Sequence, residues 1–167
     1  IKRKNYPAMI KSFAIVKRQF PNVKYIVCGT GKLENKIKSL VRKLNLEDSV
    51  IFAGYRKDIN KILQISDLML LLSKQEGLTM AIMEAMYYSL PVVTSNVRGN
   101  RDLIDDSLGG KLVNYKDTDE VASSVLEILD NEDLKQKMGE YNHIKVKKYE
   151  IDVVREQLKR VYEEVQF

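Results

Sequence analysis

The sequence predicts an α/β fold in which a parallel sheet carries helices on both faces. Two observations lead there. Five short runs rich in Val, Ile, Leu and Tyr, at residues 23–28, 49–53, 67–72, 91–95 and 110–115, alternate with helical patterns, as βαβ units do. The runs "DLMLLL" (67–72) and "PVVTS" (91–95) are apolar without alternation, which is the pattern of strands covered on both faces.

Taken in order, the first helix is expected near Pro7, because proline is tolerated in a first helical turn. In "KLENKIKSLVRKL" (32–44), Leu33, Ile37, Leu40, Val41 and Leu44 share one face at 3.6-residue spacing, and the lysines form an ordinary solvated face opposite. After the 67–72 strand the loop turns at Gly77 and a helix begins around Thr79, with Met80, Met83 and Met86 expected against the sheet. Beyond Tyr115 the alternation stops. A helix over "DTDEVASSVLEILDN" (117–131) has Asp117 or Thr118 as its cap. A second covers 132–148. The last, "YEIDVVREQLKRVYEEV" (149–165), carries Ile151, Val154, Leu158, Val161 and Val165 on one stripe. No linker, repeat or low-complexity segment interrupts residues 1–167, which read as one domain. The chain opens almost at once on a helix, where a doubly wound half-domain usually opens on a strand, so a piece of a longer protein is expected.

Composition narrows the classes. The 167 residues have room for one core. No apolar run approaches the roughly 20 residues of a spanning helix, and "IKRKNYPAMI" does not read as a signal peptide. The single cysteine, Cys28, has no internal partner and fits a reducing cytosol. A net charge of +5 suits an anionic ligand or an acidic surface. The lysines are spread over helices instead of interleaved with aromatics, so nucleic acid is not an expected partner. There is no His/Cys cluster with metal-ligand spacing, so no metal is expected. His143 stands alone and reads as a surface or boundary residue. "GTGK" (29–32) lacks the spacing of a phosphate-binding P-loop and reads as a turn bordering a ligand cleft.

The segment "SKQEGLTMAIMEAM" (73–86) is where chemistry is expected, since ligands of open α/β sheets bind beyond the carboxyl ends of the strands. A helix beginning there offers unpaired N–H groups and a positive dipole end, a natural seat for phosphate. Gly77 allows a close backbone approach. Glu76 and Glu84 would repel a phosphate, so they are expected to accept hydrogen bonds from hydroxyls. Glu84 lies five residues beyond Thr79, about 7.5 Å along the axis. A phosphate site flanked by two hydroxyl readers describes a nucleotide sugar. The same residues also fit two surface glutamates on an ordinary connection.

Residues 73–100 resemble the signature of the retaining glycosyltransferases of family 4, the "group 1" glycosyltransferases of GT-B fold. Glu76 and Glu84 have the separation of that family's E-x7-E motif. Ser73 and Gly77 surround the first glutamate, followed by "EAM" (84–86), "PVV" (91–93), and Gly99 with an acidic residue and Ile104 after it. Upstream, Lys4-Asn5 resembles the family's "KN/KG", "CGTGKLENKI" its "GxG" turn and "VIFAGY" its "VxFxG" strand. Ser89 and Arg98 stand at usual glycines and Thr30 at a usual acidic residue.

This resemblance implies a Rossmann-like half of a GT-B fold without its usual first strand, namely the carboxy-terminal, donor-binding half of a hexosyltransferase. It implies Glu76 and Lys4 at the reacting centre, Glu76 on the transferred sugar and Lys4 opposite the leaving phosphate. Glu84 would hold the ribose, the backbone of Gly77, Leu78 and Thr79 the diphosphate, and Tyr55 and Arg56 the base. The donor would be a UDP- or GDP-linked sugar, with no cofactor and no metal. Transfer to a glycan or lipid-linked acceptor would proceed with retention, in polysaccharide synthesis. A missing amino-terminal domain would supply the acceptor site, the final helix (about 150–165) would pack back toward it, and the isolated domain would be inactive. A cytoplasmic setting with peripheral attachment at the inner membrane face is a further expectation. The residues alone leave open a non-catalytic α/β interaction module, and a GT-B sugar-nucleotide epimerase is a third reading.

Overall fold

The structure, a computed structural model, describes residues 2–165. A 3-10 turn over Lys2–Lys4 leads into α1 (Tyr6–Gln19), followed by β1 (Tyr25–Cys28), α2 (Glu34–Lys43), β2 (Val50–Gly54), α3 (Ile59–Gln64) and β3 (Met69–Leu71). Then come α4 (Met80–Tyr87), β4 (Val92–Ser95), α5 (Arg98–Leu103), β5 (Gly110–Val113), α6 (Thr118–Leu129), α7 (Glu132–Val146) and α8 (Ile151–Val165). Every strand lies within two residues of its expected run. The six-residue helices α3 and α5 are too short to register as a helical period. Asp117 caps α6, accepting from the N–H groups of Asp119 and Glu120, and Asn131 caps α7.

All strand pairs are parallel, but in place of one continuous sheet there are two ladders, β1–β2 and β3–β4–β5. Among the described residues no ladder joins β1 to β3. Helix α1 spans them instead. Met9 and Val16 pack with Leu72, Val93 and Val113, while Ile10 and Phe13 pack with Val27 and Val50. On the other face, Val92 and Leu71 meet Ile82, Ala85 and Met86 of α4. Successive β4 residues therefore face opposite layers, and all four are buried, as its unbroken apolar run requires. Strand β3 meets the expectation of two-sided burial only in part, because Met69 and Leu70 are half-buried. Of the three α4 methionines, Met86 is in the core and Met83 packs against it, but Met80 in the first turn faces outward.

The stripe of α8 is largely bare: Ile151, Leu158 and Val161 are exposed and Val154 half-buried, and the side chain of Val165 lies outside the described residues.

The end of α4 fixes the helix against α7. Ser89 adopts a left-handed φ of 57°, letting its N–H reach the Met86 carbonyl and that of Leu90 the Ala85 carbonyl, both at 3.0 Å. Such a helix stop favours glycine, so the side chain at Ser89 is tolerated at a cost. The Ser89 carbonyl in turn faces Gly139, where a Cβ would sit 2.0 Å from the oxygen. Three residues on, the buried Asn142 donates to the Leu90 carbonyl at 2.8 Å and the Gly109 carbonyl at 2.6 Å. We therefore expect Ser89→Gly to stabilise the domain by ~0.5–1 kcal/mol through relief of the left-handed strain. Gly139→Ala should cost ~1–3 kcal/mol despite alanine's better helix propensity, because backbone must move to admit the methyl. Urea unfolding midpoints of the two variants should shift in opposite directions.

Candidate active site

The loop 73–78 carries the chain from β3 to α4, and three contacts hold it. The N–H of Lys74 donates to the Arg3 carbonyl at 2.9 Å. The Ser95 hydroxyl, at the end of β4, donates to the Ser73 carbonyl. The third contact is steric: Gly99 packs so closely that a Cβ there would lie 2.0 Å from the Gly77 carbonyl oxygen and 2.8 Å from that of Glu76. The glycine on which the turn depends is therefore Gly99. Gly77 itself has no left-handed φ, and a Cβ on it would meet nothing, so the sharp turn expected there is not what the residue provides. It leaves open space beside the backbone.

Glu76 and Lys4, 72 positions apart in the chain, meet at this loop. Lys4 Nζ lies 2.7 Å from Glu76 Oε1, and Arg3 Nη2 lies 3.7 Å from Oε2. The Glu76 side chain is 7% exposed. Burial alone pushes its carboxyl up, but Lys4, Ser73 and Arg3 more than offset that and hold it below the usual carboxylate range. Glu76 Oε1, although beside the ammonium, is buried without an aligned hydrogen-bond partner, as is Ser73 Oγ. The neighbouring Asn5 holds Lys4 in place. Asn5 takes a left-handed φ of 49° at the start of α1, and its Nδ2 donates to the Tyr115 carbonyl at 2.9 Å.

Helix α4 begins at Met80 with Thr79 as its N-cap residue, but the Thr79 side chain makes no capping bond. Thr79 is buried, whereas Gly77, Leu78 and Met80 are exposed. The N–H groups of Leu78, Thr79, Met80 and Ala81 have no backbone acceptor among the described residues. A positively polarised helix end with open donors thus sits next to the Lys4–Glu76 pair.

Glu84, one turn further, is exposed and borders an open groove of about 700 Å³ that runs along α4. The groove is lined on the α4 side by Met80, Met83 and Tyr87, and opposite by Lys57, Asn60 and Tyr149. Glu76 is not among its lining residues; the two glutamates serve different parts of the helix start, one in the loop and one in the groove. Tyr55 and Arg56, expected beside the base, do not line the groove either. Tyr55 is 75% exposed, and Arg56 is engaged with Asp58, Nε and Nη2 donating to its two carboxylate oxygens at 2.8 and 2.6 Å. Their neighbour Lys57 is the residue of that segment that lines the groove. The 29–32 turn also lies outside the groove lining, and Arg98 is exposed. His143 is half-buried, its Nδ1 2.6 Å from the Tyr87 carbonyl at the end of α4. Among the described residues no three His, Cys, Asp or Glu side chains gather as a metal-binding group.

Beneath the loop lies a buried polar cluster that sequence reasoning missed: Thr79, Thr94, Ser95 and Asn100, all within 6% exposure. Its trace in the sequence is two hydroxyl residues closing an otherwise apolar strand, followed five residues later by an asparagine. Arg3 was also missed as a second cation facing Glu76.

In parallel α/β folds, open helix donors at a strand-to-helix join are a common seat for phosphorylated ligands. The profile of the family described as "Glycosyl transferases group 1" matches residues 1–145, and the chain belongs to that family. It is 32% identical over 139 residues to N-acetyl-alpha-D-glucosaminyl L-malate synthase of Bacillus anthracis, a match covering 83% of this chain and 36% of that enzyme. It is 31% identical over 127 residues to UDP-Gal:alpha-D-GlcNAc-diphosphoundecaprenol alpha-1,3-galactosyltransferase of Escherichia coli, covering 75% and 33%. Among solved structures, a TarM variant of S. aureus in complex with fondaparinux, alpha-GlcNAc-glycerol and UDP superposes with a TM-score of 0.89 at 25% identity, over 97% of this chain and 33% of that one. The chain spans about a third of the length of these relatives.

The Glu76 environment has a pH signature. Because its folded value is depressed, the pair's contribution is complete above the ordinary glutamate range and is lost as pH falls through the folded value. Lys4→Met should raise the Glu76 titration, because burial is then opposed only by Ser73 and Arg3, and should cost ~2 kcal/mol at neutral pH. Carboxyl carbon NMR titration checks the shift, and an unmoved midpoint would assign the depression to another cause.

Proposed function

We propose that this chain is the donor-binding, carboxy-terminal half of a retaining glycosyltransferase that passes a hexosyl group from a UDP- or GDP-sugar to a glycan or lipid-linked acceptor. The observation that carries this reading is the uncapped start of α4, open to an anion, with Lys4–Glu76 on one side and Glu84 on the other. The diphosphate takes the open N–H groups of Gly77, Leu78, Thr79 and the first helical turn. Glu84 accepts hydrogen bonds from the ribose hydroxyls in the groove, and Lys57 and Asn60 border the base. Glu76 accepts from hydroxyls of the transferred sugar, and Lys4 offsets the negative charge that builds on the leaving oxygen. That electrostatic role needs neither a metal nor a cofactor. The names of relatives support the substrate class: one uses UDP-Gal and a diphosphoundecaprenol-linked sugar, and another holds UDP.

The reading includes an amino-terminal domain that supplies the acceptor site and closes over the donor. Two features support it. Among the described residues the apolar stripe of α8 is uncovered, and no ladder joins β1 to β3 beneath the shared cover of α1. No helix of the described residues is long and apolar enough to cross a membrane. The reading further includes peripheral attachment at the cytoplasmic face of a membrane, where a lipid-linked acceptor would be met.

Titration of the chain with UDP, GDP and their sugar conjugates, followed by backbone amide NMR, tests the proposal. Shifts should centre on residues 76–84, and their absence with every ligand would refute it. Glu84→Ala should weaken the nucleoside diphosphates roughly tenfold, the loss of one or two charged hydrogen bonds. Glu76→Ala should remove chiefly the added affinity contributed by the sugar.

A further inference from the structure

Threonine at an N-cap ordinarily turns its hydroxyl oxygen toward the N–H of the second or third helical residue. Thr79 does not. Its Oγ1 donates toward Asn100 Oδ1 and the Gly77 carbonyl, 3.3 Å from each.

The orientation of Asn100 explains this. The side chain is fully buried. Thr94 Oγ1 gives its one proton to the Leu71 carbonyl at 2.7 Å, so it can only accept from Asn100. Asn100 Nδ2 donates to it at 2.8 Å, with the carbonyl and hydroxyl oxygens of Ser95 each at 3.1 Å. The amide nitrogen is thereby committed to the β4 end, and Oδ1, an acceptor only, faces Thr79. A buried carbonyl oxygen left unpaired costs free energy, so the Thr79 hydroxyl is drawn to it and away from the helix. The residue next to Asn100 is Gly99, whose close packing sets the position of the 76–77 backbone. Beside the same loop, Ser73 Oγ is buried without an aligned partner, and Glu76 Oε1 is paired with the Lys4 ammonium at 2.7 Å.

We propose that Asn100 is a positioning residue for the anion seat: by holding the Thr79 hydroxyl as its own donor, it keeps α4 uncapped and leaves the Met80 and Ala81 N–H groups free for a diphosphate. This rests on the donor-binding reading above. Without Asn100, the Thr79 side chain rotates to accept from the Ala81 N–H, the helix gains its cap, and the anion loses a donor.

The test has a ligand-free arm and a ligand arm. In amide hydrogen exchange on the unliganded chain, Asn100→Ala should slow exchange at Ala81, whereas a purely structural Asn100 would make it faster. Thr79→Val, which keeps the side-chain shape and Asn100, should leave first-turn exchange as in the parent chain. Acceleration there would show the hydroxyl already capping and overturn the proposal, even if Asn100→Ala does not fold. In titrations, Asn100→Ala should bind UDP about fivefold more weakly, the equivalent of one cap, with uridine affinity unaltered. The double variant Asn100→Ala/Thr79→Val should recover most of that loss, because no hydroxyl remains to compete; no recovery would overturn the proposal. If the parent chain binds no UDP, the donor-site reading fails, and the exchange arm still decides whether Asn100 withholds the cap.

Discussion

A helix that begins with its N–H groups open to solvent must be held in place by something other than its own start. In this domain that support comes from the opposite face of α4. Ile82, Ala85 and Met86 are fully buried against Leu71, Val92 and Leu103. Each large side chain contributes on the order of 1.5–3 kcal/mol through removal from water, against about 1 kcal/mol for an absent cap. The helix can therefore keep its polar end unsatisfied, and the candidate site exists because the packing below it is strong enough to leave that end unfinished.

A similar balance holds around the loop. Glu76 is buried although burial disfavours its charged form, and it stays ionised because Lys4 and Arg3 approach from a different part of the chain. Neither cation belongs to the β3–α4 unit. Both arrive through the 3-10 turn before α1, which Lys74 and Asn5 tie down at either end. A strand-to-helix join made by one βα unit is thus completed electrostatically by a segment more than sixty residues earlier.

Much of this was legible in the sequence. The strands announced themselves because parallel strands covered on both faces read as unbroken apolar runs, and the spacing of Glu76 and Glu84 marked the join. What could not be read depends on three-dimensional approach. The meeting of Lys4 with Glu76 came from family resemblance, since no local period connects them. Gly77 drew attention as the glycine inside the motif, yet the tight contact is at Gly99, which nothing short of the folded loop reveals. Thr94, Ser95 and Asn100 look like the polar residues that end any strand and open any turn. Their burial follows only from α5 closing over β4. The engagement of Arg56 could not be read either: a bidentate pairing with Asp58, two residues away, occupies the guanidinium. The division into two ladders was equally hidden, because a strand has the same composition whether or not its neighbour is present.

Helix α1 lies across both ladders, and the residue at its start, Asn5, is moored to the Tyr115 carbonyl just past β5. Lys4 is the next residue back. The ammonium group therefore rides on a strut whose tilt is set by two separate pieces of sheet. Any sliding of one ladder past the other would swing a positive charge relative to the mouth of α4, turning a distant mechanical displacement into a change of electrostatic potential there.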